Sequence, residues 1–301
     1  MSTAPPSIEI FAPAKINLYL HVTGKRADGY HALDSLVTFA DIGDKITLQP
    51  MDGLFFETTG PFAHAFSEHD KSVLPDSPNL IIQAIWSLAR FANRKPAFSI
   101  ALEKNLPLGA GIGGGSADAA AVLWGLSRLW DIAPDMNILG DLMMDLGADV
   151  PVCFSSRTRY VAGAGETLSQ PIEMPEIHAV LVNPLKPCST KTIFKAYGGD
   201  IVAPADRVQK FEDADSLLGY LDDKLNMLTH AAKSEVPEIE NCLRQIEAAD
   251  ACELSRMSGS GSTCFGLFKT LKDAQNAEHS IREHNPDWWV KATTLGQIER
   301  Y

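Results

Sequence analysis

Leu106-Pro107-Leu108-Gly109-Ala110-Gly111-Ile112-Gly113-Gly114-Gly115-Ser116-Ala117 is a glycine-rich loop that runs straight into an alanine-rich, apolar segment. Five glycines in seven positions, 109 to 115, let the backbone take positive φ and let a bulky anion reach the amides without meeting a Cβ. From Ser116 onward, Ala119, Val122, Leu123, Leu126 and Trp130 recur at helical spacing with no proline between them. A helix is therefore predicted with its N-terminus aimed at the loop. Unpaired N–H groups of the first turn and the positive end of the helix dipole favour an anion there, and the expected ligand is a nucleotide phosphate.

Competing readings of the loop can be weighed from its neighbours. A Walker A loop needs Gly-Lys-Ser/Thr at its end, and Gly115-Ser116 carries no lysine. A Rossmann fingerprint is matched literally by Gly109-x-Gly111-x-x-Gly114, with Asp131 near the distance of a ribose-binding acid. Against it stands the preceding segment, where Phe98, Ile100 and Leu102 alternate with Ser99, Ala101 and Glu103 as in a strand buried on one face only. Rossmann strands are usually buried on both faces. A plain flexible linker would not end in an amphipathic helix.

Composition narrows the classes. The 301 residues and 45% hydrophobic content allow two domains with ample core. The first seven residues show neither the basic nor the apolar region of a signal peptide, and no apolar run approaches a membrane span, so a cytoplasmic protein without a membrane partner is expected. Cys153, Cys188, Cys242, Cys252 and Cys264 are scattered and never spaced as Cys-x-x-Cys, which suggests reduced thiols and no zinc site. A net charge of −12 argues against nucleic acid as a partner. An anionic substrate then needs a local basic patch, for which Lys15, Lys25, Arg26 and Lys104 are candidates.

Along the chain, Ile16, Leu18, Leu20 and Val22 share one face of an early strand, with Lys15, Asn17, Tyr19 and His21 on the other. That second face is either solvated or places a lysine and an amide on one ligand. Asp28-Gly29 signals a turn, and Tyr30-His31 beside it suits recognition of a flat heterocycle by stacking plus a hydrogen bond. Further strands are expected at 33–39, 41–49 and 54–59, then a histidine-bearing loop over 61–75. Asn79 is placed as the cap of a helix through Phe91, and Asp135 as the cap of one with Ile138, Leu139, Leu142, Met143 and Leu146 in its stripe.

Gly147 ends that helix, and Asp149 follows with Pro151 restraining the backbone near its carboxylate; a capping aspartate is the alternative. A domain boundary is expected near Pro171, giving domains 1–170 and 171–301. In the second, a helix starts at Ser189-Thr190 and carries Ile193, Phe194 and Tyr197. Ser258-Gly259-Ser260-Gly261-Ser262 forms a turn between two strands whose amides could close over phosphate from the side opposite the first loop.

With these stretches assembled, the chain resembles the GHMP kinase family along nearly its whole length. Pro107-x-Gly109-x-Gly111-x-Gly113-Gly114-Gly115-Ser116 is similar to that family's ATP-binding motif, and Ser258-Gly259-Ser260-Gly261-Ser262 to its C-terminal glycine motif. Pro13-Ala14-Lys15-Ile16-Asn17-Leu18, Arg26-x-Asp28-Gly29-Tyr30-His31 and Gly147-Ala148-Asp149-Val150-Pro151 resemble the branch that acts on a cytidine diphosphate ester of methylerythritol. Leu225-Asn226-Met227-Leu228 departs from the family, which tends to have an acidic residue after the asparagine.

The resemblance implies an α+β, two-domain GHMP kinase fold, with an N-terminal nucleotide-binding domain, a C-terminal ferredoxin-like α/β domain and the active site in the cleft between them. It implies ATP and Mg²⁺ as cofactors, a small-molecule substrate phosphorylated on its 2-hydroxyl in the non-mevalonate route to isoprenoids, and a monomer or weak homodimer. By the same resemblance Lys15 and Asp149 are the catalytic pair with Asn17 beside them. Tyr30, His31 and Phe194 hold the cytosine with Thr190 nearby. Gly259 and Gly261 contact substrate, and Asn79, Lys104 and the loop from Pro107 to Ala117 hold the nucleotide.

Phosphoryl transfer passes through a loose transition state that needs positioning and fixed positive potential, which loop amides, a helix N-terminus, Lys15 and Mg²⁺ would supply. Asp149 would accept the hydroxyl proton. Mg²⁺ would rest mainly on phosphate oxygens and water, with one contact from Ser116.

Overall fold

The computed structural model describes residues 7–27, 29–133 and 136–298, with backbone only at 136–138. Asp28 and Asp135 of the motifs above, and the side chain of Ile138, lie outside the described residues.

Two long strands, β1 (Ile8–Lys25) and β2 (His31–Pro50), pair antiparallel and form the spine. The sequence suggests several shorter strands here; the backbone instead runs on through irregularities between Pro13 and Lys15, Asn17 and Tyr19, and Val22 and Gly24. Such bulges bend a strand and turn its side chains to a new face. One strand thereby serves three cores: Ile10 and Ala12 enter the first, Ala14, Ile16 and Leu18 the second, Leu20 and Val22 the third. Gly43 is needed at the first bend, because a Cβ there would lie 2.2 Å from the Ala12 carbonyl oxygen.

The remaining strands are β3 (Leu54–Thr59), β4 (Phe98–Glu103), β5 (Arg159–Gly163), β6 (Thr167–Leu168), β7 (Ile177–Asn183), β8 (Leu254–Met257), β9 (Cys264–Phe268) and β10 (Trp289–Gly296). Among the described residues they join the hairpin in one ten-stranded sheet whose main path runs β3-β4-β2-β10-β7-β9-β8. Strand β4 buries Phe98, Ile100 and Leu102 and leaves the alternate residues half-exposed, as its alternation predicts. It lies antiparallel to β2 and parallel to β3.

Helices α1 (Leu80–Phe91), α2 (Gly114–Leu129), α3 (Met136–Leu146) and α4 (Val150–Ser155) belong to the first half. The second half holds α5 (Thr190–Ala196), α6 (Ala214–Leu221), α7 (Thr229–Glu235), α8 (Glu238–Glu247) and α9 (Leu271–His284). Asn79 caps α1 by accepting from the Ile81 amide, as expected. The helix after the glycine loop is more deeply set than a one-face stripe requires: Ala117 to Leu123 are all buried, and a Cβ on Gly125 would lie 2.3 Å from Ile10 Cδ1. Close packing of α2 on β1 fixes where its N-terminus points.

In the second half, β7, the helices, β8, β9, α9 and β10 build a β-α-β-β-α-β unit with the ferredoxin-like strand order β10-β7-β9-β8. The two halves are tied together. Strand β10 pairs with β7 along its length and with β2 at Leu295–Ala40 and Gly296–Phe39. The second core mixes Ala14, Ile16 and Leu18 with Phe265 and Leu267. A buried carboxylate, Asp34, accepts from the Tyr19 hydroxyl and the Ala205 amide, each at 2.9 Å, and pairs with Arg207, so that it joins residues on both sides of the expected boundary.

Candidate active site

The glycine loop takes the left-handed backbone its composition allows: Gly109, Gly111 and Gly113 have φ of 62°, 74° and 65°. Gly113 caps α2 with no side chain bonded to the first turn, so those N–H groups face outward for a ligand. A cavity of about 240 Å³ opens beside it, lined by Pro107, Leu108, Gly109, Gly114 and Gly115 of the loop and by Phe66, Asp70, Asn79, Leu80, Ile81, Lys104 and Asp118. Ala110, Ile112 and Ala117 turn their side chains into the cores, leaving only backbone for a ligand. Ser116 is half-buried in the first turn.

The structure brings Lys15 and Asp149 together at 3.0 Å, although they are far apart in sequence. Lys15 is 3% exposed, and its side chain passes Gly113, where a Cβ would lie 3.1 Å from Lys15 Cε. Its amide donates to the Ile112 carbonyl, so strand and loop are in register. Its Nζ also donates to Asn17 Oδ1 at 2.8 Å, and Asn17 Nδ2 donates to Ser35 Oγ at 2.8 Å. The strand face bearing Lys15 and Asn17 is thus buried rather than solvated. Tyr19 departs from that face, carried by the bulge after Asn17 into the second core.

Asp149 stands at the N-cap position of α4 but makes no capping hydrogen bond, and its side chain keeps 44% of its surface exposed. Its carboxylate is left for Lys15 and for whatever enters from solvent. The sequence gives Pro151 but not the helix; α4 is short, and its buried Val150 to Phe154 fix the backbone behind the carboxylate.

The second glycine turn corrects one expectation. It does not stand opposite the first loop; it packs directly on it, and Ser258 to Ser262 are buried. A Cβ on Gly259 would lie 2.6 Å from the Gly111 carbonyl oxygen, and one on Gly111 would lie 2.5 Å from that of Gly261. Only residues without a Cβ permit this approach. Ser258 Oγ donates to the Gly111 carbonyl at 3.2 Å and accepts from the Asn17 amide at 3.1 Å. Gly259 also adjoins Asn17 Oδ1, at 3.5 Å from an added Cβ, so the turn borders the catalytic candidates from behind. Thr190, exposed, shares a 2.8 Å hydrogen bond with Ser260.

Asn226 is the residue of this region whose role the sequence does not reveal. Its Nδ2 donates to the carbonyls of Met257 and Gly259 at 2.7 and 2.8 Å, while Leu20 and Asn226 are bridged through the backbone. It clamps both ends of the turn to β1, and an acidic neighbour is not required for that.

His31 and Phe194 meet at one end of the hairpin, and Tyr30 precedes His31 in the turn. Tyr30 is 67% exposed, and the rings of His31 and Phe194 stack at 5.4 Å and 25°. Ser189 caps α5, the helix that carries Phe194, by accepting from the Thr192 amide.

The basic patch is less free than its residue types suggest. Arg26 pairs with Glu166. Lys104 lines the cavity, but it is 2% exposed and its Nζ contacts Asp44 at 2.5 Å and Asp118 at 2.7 Å. Burial would lower the lysine's pKa, and the Asp118 and Asp44 carboxylates together outweigh it and hold it above the usual value. Burial, with Asp44 adding to it, pushes the Asp118 carboxyl up to about 8 against the pull of Lys104. Asp44 also accepts from the amides of Asn105 and Leu106 and so fixes the start of the loop. No sequence pattern links Asp44, Lys104 and Asp118; the register of β2 on β4 and the packing of α2 do.

Two family models match in order, that of the GHMP kinases N terminal domain over residues 79–157 and that of the GHMP kinases C terminal over residues 205–287. The chain belongs to the GHMP kinase family. The 4-diphosphocytidyl-2-C-methyl-D-erythritol kinase of Paracoccus denitrificans is 46% identical, with 94% of this chain and 95% of that protein covered. The enzyme of that name from Paramagnetospirillum magneticum is 43% identical, over 96% and 99% of the two chains. A crystal structure of 4-(cytidine 5'-diphospho)-2C-methyl-D-erythritol kinase superposes with a TM-score of 0.78 at 31% identity, covering 96% and 99%. Homoserine kinase from Cytophaga hutchinsonii, at 16% identity, a TM-score of 0.69 and coverage of 100% and 98%, shares the GHMP kinase fold. The Rossmann alternative falls away: the glycine loop and α2 lead through α3 and α4 to β5, which pairs antiparallel with β2 instead of lying parallel beside β4.

Proposed function

We propose that the protein is an ATP-dependent kinase that phosphorylates the 2-hydroxyl of 4-diphosphocytidyl-2-C-methyl-D-erythritol, a step of the non-mevalonate route to isoprenoid precursors. The observation that carries this reading is the Lys15–Asp149 contact at the mouth of the glycine loop. It sets an acceptor and a fixed cation side by side near the α2 N-terminus, which no side chain caps and which would hold a phosphate.

In this reading the cavity beside Asn79, Lys104 and Pro107 takes the nucleotide, and the N–H groups of the first α2 turn meet its phosphates. The substrate hydroxyl lies against Asp149, which receives its proton as the bond to phosphorus forms. Lys15, held by Asn17, keeps its ammonium aimed at the oxygens that gain charge and pays no reorganisation at that moment. Tyr30, His31 and Phe194 hold the cytosine at the far end of the hairpin.

Among the described residues no three His, Cys, Asp or Glu side chains gather as a metal cage. The residues fit a Mg²⁺ that is carried on ATP phosphates and water, with the Ser116 hydroxyl in the first turn of α2 as its protein contact. When bound, the ion neutralises charge on the phosphates.

No helix among the described residues is long and apolar enough to cross a membrane. A cytoplasmic enzyme, monomeric or a weak homodimer and built of domains 1–170 and 171–301, is the reading we adopt. Phosphorus NMR of the product from ATP, Mg²⁺ and the cytidylyl ester tests it. A new phosphomonoester on carbon 2 is expected, and a phosphate on any other hydroxyl would overturn the assignment.

A further inference from the structure

His31 opens β2 directly after an exposed turn, a place where an imidazole would ordinarily rotate among rotamers. Here it is held on two sides. Phe194 stacks on it, and Tyr197, the residue that ends α5, meets it perpendicularly at 5.9 Å and 89°. Perpendicular and stacked aromatic contacts are the two arrangements the ring quadrupole favours, and together they fix the plane of the ring between them.

Tyr197 is itself built into place. At φ −65° and ψ 113° the chain leaves the helix in an extended conformation, and the Tyr197 hydroxyl donates to the Asp200 carbonyl at 2.6 Å. The ring lies against Gly199, where a Cβ would sit 2.8 Å from the hydroxyl oxygen and 2.9 Å from two ring carbons. Met227 Sδ lies 4.0 Å from the hydroxyl on another side. Tyr197-Gly198-Gly199-Asp200 therefore closes the helix and also anchors one ring, which rests against the third core and meets His31 edge-on.

We infer that Tyr197 is a positioning residue for base recognition, which sets the His31 imidazole so that it reads the cytosine edge of the substrate. The inference rests on the functional reading given above. Tyr197 acts through His31 and does not itself contact the base. A histidine fixed in plane and direction presents its ring nitrogens at one angle, and a hydrogen bond at a fixed angle separates cytosine, with an exocyclic amine, from uracil, with an oxygen at the same place.

The test compares wild type, Tyr197→Phe, Tyr197→Ala and Tyr197→Leu in ADP release from ATP and Mg²⁺, with the cytidylyl ester and its uridylyl counterpart as acceptors. In Tyr197→Ala, KM for the cytidylyl ester should rise about 2- to 12-fold, the range of one aromatic pair, while kcat and the ATP KM stay within about twofold. The preference for cytidylyl over uridylyl ester should fall by a similar factor, a change that loss of stability alone does not produce. Tyr197→Phe, which keeps the ring and loses only the hydrogen bond to the Asp200 carbonyl, should lie nearer wild type than Tyr197→Ala in both, and Tyr197→Leu, which keeps bulk without the ring, should behave as Tyr197→Ala. A cytidylyl KM and base preference equal to wild type in Tyr197→Leu would overturn the inference, as would equal rises in both substrates' KM. Absence of turnover of the cytidylyl ester by wild type would instead overturn the functional reading, and this inference with it.

Discussion

Alanine placed at Gly109 and at Gly111 should separate backbone conformation from loop contact. Both glycines have positive φ, 62° and 74°, so each substitution carries the left-handed penalty of about 1–2 kcal/mol. At Gly109 no atom lies within 4 Å of an added Cβ, and the cost should stop there. At Gly111 the Cβ would lie 2.5 Å from the Gly261 carbonyl oxygen, 2.7 Å from that of Ser258 and 2.8 Å from the Gly261 nitrogen, all backbone atoms. Ordinary contact begins at 3.4 Å, so the two loops must part by nearly 1 Å.

That movement strains the Thr263 amide to Ala110 carbonyl bond at 3.0 Å and the Ser258 hydroxyl to Gly111 carbonyl bond at 3.2 Å. At about 1 kcal/mol for each hydrogen bond, Gly111→Ala should cost about 3–4 kcal/mol in all. It should also raise the ATP KM, because the Ile112 carbonyl that receives the Lys15 amide moves with the loop. Urea unfolding of the two variants, with ATP kinetics on each, reads both effects. Equal unfolding midpoints for Gly109→Ala and Gly111→Ala would refute the claim that the second glycine turn buttresses the first.

Other substitutions address the remaining contacts. Asp149→Asn and Lys15→Met should each lower kcat by about 10²–10³, and a variant of either kind near the wild-type rate would remove that residue from the mechanism. Asn226→Ala leaves the Met257 and Gly259 carbonyls without their donor, so a loss of about 2–3 kcal/mol is expected in thermal or urea unfolding. Asp118, raised to about 8, holds a proton that the unfolded chain has already released near pH 4. Its contribution is complete below that unfolded value and is lost as pH rises through about 8. The stability of wild type relative to Asp118→Asn should therefore fall between about pH 5 and 9, and a difference that stays flat across that range would contradict the assignment.

What could be read in advance depended on whether the information was local. The α1 cap at Asn79, the alternation of β4 and the helix after Ser116 follow from spacings of a few residues, and the structure has each of them. The ferredoxin-like second half follows from the alternation of strands and helices together with the family resemblance. Features that depend on pairing register escaped. Bulges in β1 send Tyr19 into a core where simple alternation places it beside Asn17, and they join segments that look like separate strands.

The site divides in the same way. Lys15, Asn17, Asp149 and His31 stood out as candidates because their motifs carry them, and the fold brings Lys15 against Asp149 and Asn17 and stacks His31 on Phe194, which only the family resemblance singled out. Asp44 and Asp118 carry no motif; they meet Lys104 only because β2 lies beside β4 and α2 packs over β1 and β2. The direct seat of Gly259 and Gly261 on Gly111 is equally invisible in one dimension, since glycine spacing gives flexibility and not the partner that requires it. Phe66 and Asp70 belong to the segment read only as a histidine-bearing loop, yet they wall the cavity beside the glycine loop.

The central claim is the acceptor. ADP release from ATP and Mg²⁺ should be measured with 4-diphosphocytidyl-2-C-methyl-D-erythritol, mevalonate, homoserine and galactose side by side, as kcat/KM. The account predicts turnover with the cytidylyl ester and none above background with the other three. Turnover with one of those instead would keep the kinase fold and the Lys15–Asp149 pair and contradict the proposed placing of the cytosine at Tyr30, His31 and Phe194.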